Sequence, residues 1–216
     1  MGAAALARLG QRVGTTGAGG GEAEGAGRPT GREDDDEVEY HDMSTTARPI
    51  GFRHELLLHR STAELVEFVV PFVRDGAAAE ESTLLLVRPA TARAVLDRVE
   101  PSPHLRVQPA LAKPGRPAAH AHAAGPLLSG YARVLHEEPV IPRAQWSEWR
   151  RLEAALNVIL RRHDTWAVCA YDRRRLSEDM VDDLNAAHPL LARDGSHRPN
   201  EGYREPRAFL DARPAR

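Results

Sequence analysis

Between Gln145 and Asp172 the chain reads QWSEWRRLEAALNVILRRHDTWAVCAYD. Trp149, Leu152, Leu156, Ile159 and Leu160 recur at helical spacing and predict the buried stripe of a long helix, led in by Pro142 and Arg143. His163 and Asp164 then form a turn, and Trp166 to Tyr171 (WAVCAY) is an unbroken apolar run of strand length. A strand without polar alternation must be covered on both faces, as in the interior of a parallel sheet. This one stretch therefore directs the chain toward an α/β core.

The rest of the chain repeats the pattern. Phe52 to His59 (FRHELLLH) carries an apolar run of strand length, and Ser61 with Glu64 fits a capping box at the start of a helix. Leu65, Phe68, Val69, Phe72 and Val73 give that helix its apolar face; Pro71 predicts a kink or break in it, and Gly76 its end. Thr83 to Val87 (TLLLV) reads as a central strand, Thr91 to Val99 as a second helix and His104 to Val107 as a short edge strand. Tyr131 to His136 is another strand, and Leu176 to Ala187 a helix capped by Ser177 and stopped by His188-Pro189. Strands alternating with helices imply a three-layer α/β fold with a mostly parallel sheet and crossover helices.

The flanks read differently. Residues 1–47 are Gly- and Ala-rich, then acidic at Glu33, Asp34, Asp35, Asp36, Glu37, Glu39 and Asp42, which is the composition of a disordered, solvated tail. Met43 opens a segment leading directly into the first strand and is a candidate natural start. The folded domain is expected over 48–192, followed by an extended C-terminal tail over 193–216, with Tyr203 and Phe209 as candidate anchors. Pro109, Pro114, Pro117 and Pro126 interrupt the stretch from 109 to 130, which reads as a loop, a lid or a weak helix.

Composition narrows the function. A net charge of -2 supplies no general attraction to nucleic acid or anionic lipid. Arginine clusters at Arg150, Arg151, Arg161, Arg162, Arg173, Arg174 and Arg175 are interleaved with acids, as on solvated helix surfaces, so nucleic-acid binding is not expected. Cys169 is the single cysteine, so no internal disulfide forms, and its place inside a strand favours packing over reactivity. No apolar run approaches the ~20 residues of a membrane helix, and no apolar core follows Arg8 and Arg12 to make a secretory signal; a cytoplasmic location is the expectation. His120-x-His122 lacks a neighbouring Cys or carboxylate, so no metal site and no cofactor are assigned.

In parallel sheets ligands bind at strand C-termini. That rule lines up His59 and Arg60, Glu137 and Glu138, and Tyr171 and Asp172 along one edge. Glu153 and Asn157 border the apolar stripe of the long helix and can reach either a cleft or a structural network. The candidate ligand-binding residues are thus His59, Arg60, Glu138, Glu153, Asn157, Tyr171 and Asp172. For Asp172 a turn-forming role is equally open, since Asp after a strand commonly organises a turn. Glu138 and Glu153 could also act as paired acid and base if they converge, which would make the chain a small enzyme.

Several phrases carry a likeness: FRHELLLHRS at the first strand, Pro71-Phe72 with Gly76, HEEP at His136 to Pro139, LEAALN at Leu152 to Asn157, WAVCAYD, His188-Pro189, and Tyr203 with Pro206. In order and spacing they resemble the MEDS domain, named for methanogens, methylotrophs and the sensory part of the dichloromethane-dehalogenase regulator. The resemblance implies a degenerate RecA/KaiC-like fold. The step from Leu58 through His59, Arg60 and Ser61 lacks the glycines and lysine of a phosphate loop, so ATP hydrolysis is not expected. It also implies a sensory role toward small hydrocarbon-derived ligands. In actinobacterial relatives the domain often accompanies an anti-sigma-type, histidine-kinase-like ATPase domain; here the residues after His188 are too few for one to be expected, and no helix-turn-helix is recognisable. The expectation is a stand-alone, non-catalytic sensory domain binding a small organic ligand or a signalling partner. The alternative is a protein-binding regulator of an anti-sigma or histidine-kinase-like system.

Overall fold

The apolar runs become strands. β1 (Arg53–His59), β2 (Thr83–Val87), β3 (Leu105–Pro109), β4 (Arg133–Glu137), β5 (Trp166–Asp172), β6 (Leu190–Arg193) and β7 (Ser196–Pro199) form a seven-stranded sheet in the order β3-β2-β4-β5-β1-β6-β7. Every pairing is parallel except that of β6 with β7. The structure, a computed structural model, describes residues 51–110, 124–128, 130–193 and 196–210. The chain divides into two units, Met1–Glu39 and Tyr40–Arg216, and all described residues belong to the second. The expected N-terminal tail, Met43, His120 and His122 lie outside the described residues.

Helices α1 (Thr62–Ala78) and α2 (Pro89–Leu96) cover one face of the sheet; α3 (Trp146–Ile159) and α4 (Glu178–Ala187) cover the other. On the first face Leu65, Val69, Phe72, Val73 and Val95 pack against Leu57, Leu85, Leu135 and Val168. On the second, Trp149, Leu152, Met180 and Leu184 pack against Leu56, Cys169 and Tyr171. Leu56 and Leu57 enter opposite cores because successive side chains of a strand point to opposite faces. Each fully buried leucine contributes roughly 1.5–3 kcal/mol, so the two cores together hold the three layers in place. Among the described residues no helix is long and apolar enough to cross a membrane.

The structure differs from the sequence reading at several points. Pro71 does not break α1, which is helical throughout. Its own side chain is exposed, while Val70 and Phe72 on either side are buried and pin the helix to the sheet. Gly76 is not a terminator. It lies within α1, where an added Cβ would stand 2.6 Å from Thr83 Oγ1 and 3.1 Å from Arg133 Cδ, so its role is close packing on β2 and β4. The left-handed residue after the helix is Glu80, at φ 55°. Ile159, placed on the buried stripe from its spacing, is 46% exposed, because it sits at the margin of the stripe on the last turn of α3. The polar segment after Ala192 contains β7 and a helical turn α5 (Arg207–Leu210), with Phe209 buried against Ala154, Ala186 and Ala187. Pairing with β6 orders a segment that has no hydrophobic period of its own.

Candidate functional site

A chain of buried polar side chains lies between α3 and the sheet. Trp149 and Glu153 are one turn apart on α3, so both face β5. Trp149 Nε1 donates to the Tyr171 hydroxyl at 2.8 Å, and that hydroxyl donates to Glu153 Oε1 at 2.5 Å. The second carboxylate oxygen, Oε2, faces two imidazoles: His54 Nε2 at 3.4 Å and His188 Nε2 at 3.3 Å. His54 Nε2 also lies 3.3 Å from Cys169 Sγ. Asn157, one turn beyond Glu153, closes the group. Its Nδ2 donates to the Ala187 carbonyl at 2.8 Å, and its Oδ1 lies 3.1 Å from His54 Nδ1. His188 Nδ1 donates to the Leu184 carbonyl at 2.8 Å. His54, Glu153, Cys169, Tyr171 and His188 are all buried.

Burial governs the protonation of this cluster. Burial first, then the neighbouring His188, lowers the His54 pKa and favours a neutral ring. Burial opposes the charge on Glu153, but the contacts from His188 and His54 outweigh it and hold the carboxyl below the usual range. Burial and the nearby Glu153 and Glu138 carboxylates push both the Cys169 thiol and the Tyr171 phenol well up, so both keep their protons.

His54, Trp149, Glu153 and Cys169 of this cluster line a cavity of about 350 Å³. Phe52, Leu128, Val134, Leu152, Leu156 and Leu160 are among its apolar lining; His54, His136, Glu138, Glu153 and Cys169 supply polar groups. His136 Nδ1 pairs with Glu138 Oε1 at 2.7 Å. Burial works against a charged His136, but the Glu138 carboxylate prevails and raises its pKa. A larger groove, about 690 Å³, is lined by Arg60, Glu64, Glu67, Phe68, Arg173 and His197 among others. Its charged, mixed lining suits solvent better than an organic ligand, and of the seven candidate residues it contains only Arg60.

The candidates therefore separate into two sets. Glu138, Glu153 and Asn157 gather with Tyr171 on the α3 side of the sheet. His59 and Asp172 belong to the α1 side, because Asp172 follows Tyr171 and the pleat turns it the other way. His59 Nδ1 donates to the Ser61 carbonyl at 3.2 Å; burial lowers its pKa against the opposing pull of Asp172 and Glu137. Glu137 accepts from Arg88, at 2.7 Å from its backbone N–H and 2.6 Å from Nε. Asp172 accepts from Arg174 N at 3.1 Å, Nε at 3.0 Å and Nη2 at 2.8 Å, which fixes the turn after β5. Arg60 is exposed, and its backbone N–H donates to Glu64 Oε2 at 2.6 Å while Glu64 N donates to Ser61 Oγ at 3.0 Å. Ser61 thus caps the Glu64 N–H, and the Glu64 carboxylate reaches back past the cap to Arg60, which places a carboxylate at the N-terminus of α1.

Residues 118–189 match the family model of MEDS, the methanogen/methylotroph, DcmR sensory domain. One third of the chain is similar to this sensory domain. The MEDS match includes His136, Glu138, Glu153, Asn157, Cys169, Tyr171 and His188, so it spans most of the polar cluster. His54, which β1 contributes to the same cluster, precedes the matched span. No curated protein matches the chain.

Sequence reasoning did not select His54, His136 or His188, and for Cys169 it favoured packing over reactivity. Their positions in the chain carry no metal or catalytic spacing. The only local signals are a histidine at the start of a central strand and one at a helix C-terminus before proline.

Proposed function

We propose that the chain is a sensory or regulatory domain that binds a small, largely apolar organic molecule without chemically transforming it. The cavity beside α3 is the binding site in this reading. The observation that carries the proposal is the lining of that cavity, mostly apolar with the His136–Glu138 pair and Glu153 among it. Its volume lies at the small end of the range of about 300–1,000 Å³ usual for small-molecule sites. An apolar body would occupy the leucine-lined part, and one polar substituent would meet Glu138 or His136. The MEDS match supports a sensory role. The absence of turnover is argued from Glu153, whose carboxylate is engaged by Tyr171 and faced by two histidines, and from Glu138, which is paired with His136.

The same reading treats the sheet as a degenerate RecA/KaiC-like core. Where such ATPases carry a phosphate loop, the β1–α1 step here is closed by Ser61 and Glu64. A carboxylate at that helix N-terminus disfavours a phosphate.

A thermal-shift screen of the full chain against short alcohols, ketones, chlorinated hydrocarbons, small aromatics and nucleotides tests the proposal. A true ligand at 100 times its Kd adds about 2.7 kcal/mol, or roughly 5–10 °C in Tm. Small apolar compounds are expected to give a saturable rise, and Leu156→Trp, which fills the cavity, to abolish it. A response to nucleotides alone, or an unchanged response in Leu156→Trp, would contradict it. No response to any compound would shift the weight to a protein partner of the anti-sigma or histidine-kinase-like class.

A further inference from the structure

We propose that His54, Glu153, Cys169 and His188 form a tetrahedral site for a divalent transition-metal ion, with zinc the ion that suits the donor set. The site does not depend on the cavity taking an organic ligand.

Four ligand atoms from β1, α3, β5 and the residue after α4 lie within 4.8 Å of one another, and all four residues are buried. A tetrahedron drawn with zinc–ligand bonds of about 2.0–2.3 Å has edges of about 3.3–3.7 Å. Three edges are already close to that length: His54 Nε2 to Cys169 Sγ at 3.3 Å, His54 Nε2 to Glu153 Oε2 at 3.4 Å, and His188 Nε2 to Glu153 Oε2 at 3.3 Å. Two imidazoles, a thiolate and a carboxylate are a borderline donor set, suited to zinc or cobalt rather than to magnesium or calcium.

The hydrogen bonds outside the cluster fix which atoms face inward. The Leu184 carbonyl can only accept, so His188 Nδ1 carries a proton, which in the neutral ring a metal requires leaves the lone pair on Nε2. Asn157 directs its Nδ2 to the Ala187 carbonyl, which turns Oδ1 toward His54 and sets the same tautomer there. Metal-binding histidines are held in this way, with the outer nitrogen donating to a carbonyl and the inner one free to ligate. Glu153 Oε2 and His188 Nε2 make no hydrogen bond despite complete burial. Two acceptors facing each other at 3.3 Å repel unless a cation or proton lies between them.

Charge balance points the same way. On binding, the Cys169 S–H bond breaks, sulfur keeps the electron pair to bond the ion, and the proton leaves to solvent. A thiolate, a carboxylate and two neutral imidazoles around a dication sum to zero, which removes the cost of a lone buried carboxylate. His54, Glu153 and Cys169 line the cavity, which gives the ion a way in.

Titration of the full, chelator-stripped chain with cobalt(II) tests the site. Cys169 is the only cysteine, so any thiolate-to-cobalt charge-transfer absorption reports that residue alone. The expected result is one equivalent of cobalt with that absorption and the intense visible bands of tetrahedral cobalt, both displaced by zinc. Cys169→Ser should lose the charge-transfer absorption, and Asn157→Ala should weaken binding about 10- to 100-fold through the His54 ring. The wild-type spectrum decides the matter even if a variant fails to fold. Stoichiometric cobalt without charge-transfer absorption, or cobalt binding in Cys169→Ser indistinguishable from wild type, would overturn the proposal.

Discussion

Tyr171 donates its hydroxyl hydrogen to Glu153 Oε1 at 2.5 Å, and both residues are buried. The Tyr171 hydroxyl oxygen in turn accepts the Trp149 indole N–H, so one hydroxyl satisfies a donor and an acceptor. Tyr171→Phe leaves both without that partner. The expected loss is about 2–4 kcal/mol in urea unfolding, with the m-value unchanged. A loss below about 0.5 kcal/mol would show that the hydroxyl is dispensable to the cluster.

Gly76→Ala tests the packing of α1 on the sheet. In an open helix this change stabilises by about 1 kcal/mol. Here the new Cβ meets Thr83 Oγ1 at 2.6 Å and Arg133 Cδ at 3.1 Å, so a net destabilisation of about 1–3 kcal/mol is expected. Thermal or urea unfolding reads the sign directly.

His59 sets a pH dependence on the α1 side. Burial depresses its folded pKa, opposed by Asp172 and Glu137 and by the hydrogen bond to the Ser61 carbonyl, and assisted by Arg88. The unfolded chain therefore takes up this proton first as pH falls. The His59 contribution is complete above about pH 6.5 and declines as the pH drops below it. Titration followed by NMR should place the His59 midpoint below about 6.5, and His59→Gln should flatten the decline in stability between about pH 7 and 5. A midpoint at or above the ordinary value would contradict the burial argument.

Asp172 is assigned to the turn rather than the cavity. Asp172→Ala removes its contacts with Arg174 and should cost about 1 kcal/mol, as loss of a local cap does. Binding of a cavity ligand, measured by calorimetry, should be unchanged. A tenfold loss of affinity in this variant would return Asp172 to the binding site.

The layers were legible because Leu56 to Leu58, the TLLLV run and WAVCAY can be buried only inside a covered sheet, and because the stripes on α1, α3 and α4 have the helical period. What escaped was whatever depends on tertiary contact. Gly76 resembles a helix stop locally, and only the approach of Thr83 shows why a glycine stands there. Pro71 carries a breaking signal that its packed neighbours outweigh. The polar candidates were read as one edge because strand ends are easy to align by sequence. The pleat separates Tyr171 from Asp172, and parallel pairing carries His54 to within 3.3 Å of Cys169, 115 positions along the chain. No local pattern encodes that meeting.

Methyl NMR of the full chain, with leucine and valine labelled, tests the central claim of a ligand cavity most directly. During titration with the best compound from the thermal screen, saturable shifts should concentrate at Leu128, Val134, Leu152, Leu156 and Leu160 and be absent from Leu57 and Val69 across the sheet. Shifts that never saturate, or that spare the cavity leucines and appear along the charged groove instead, would contradict it.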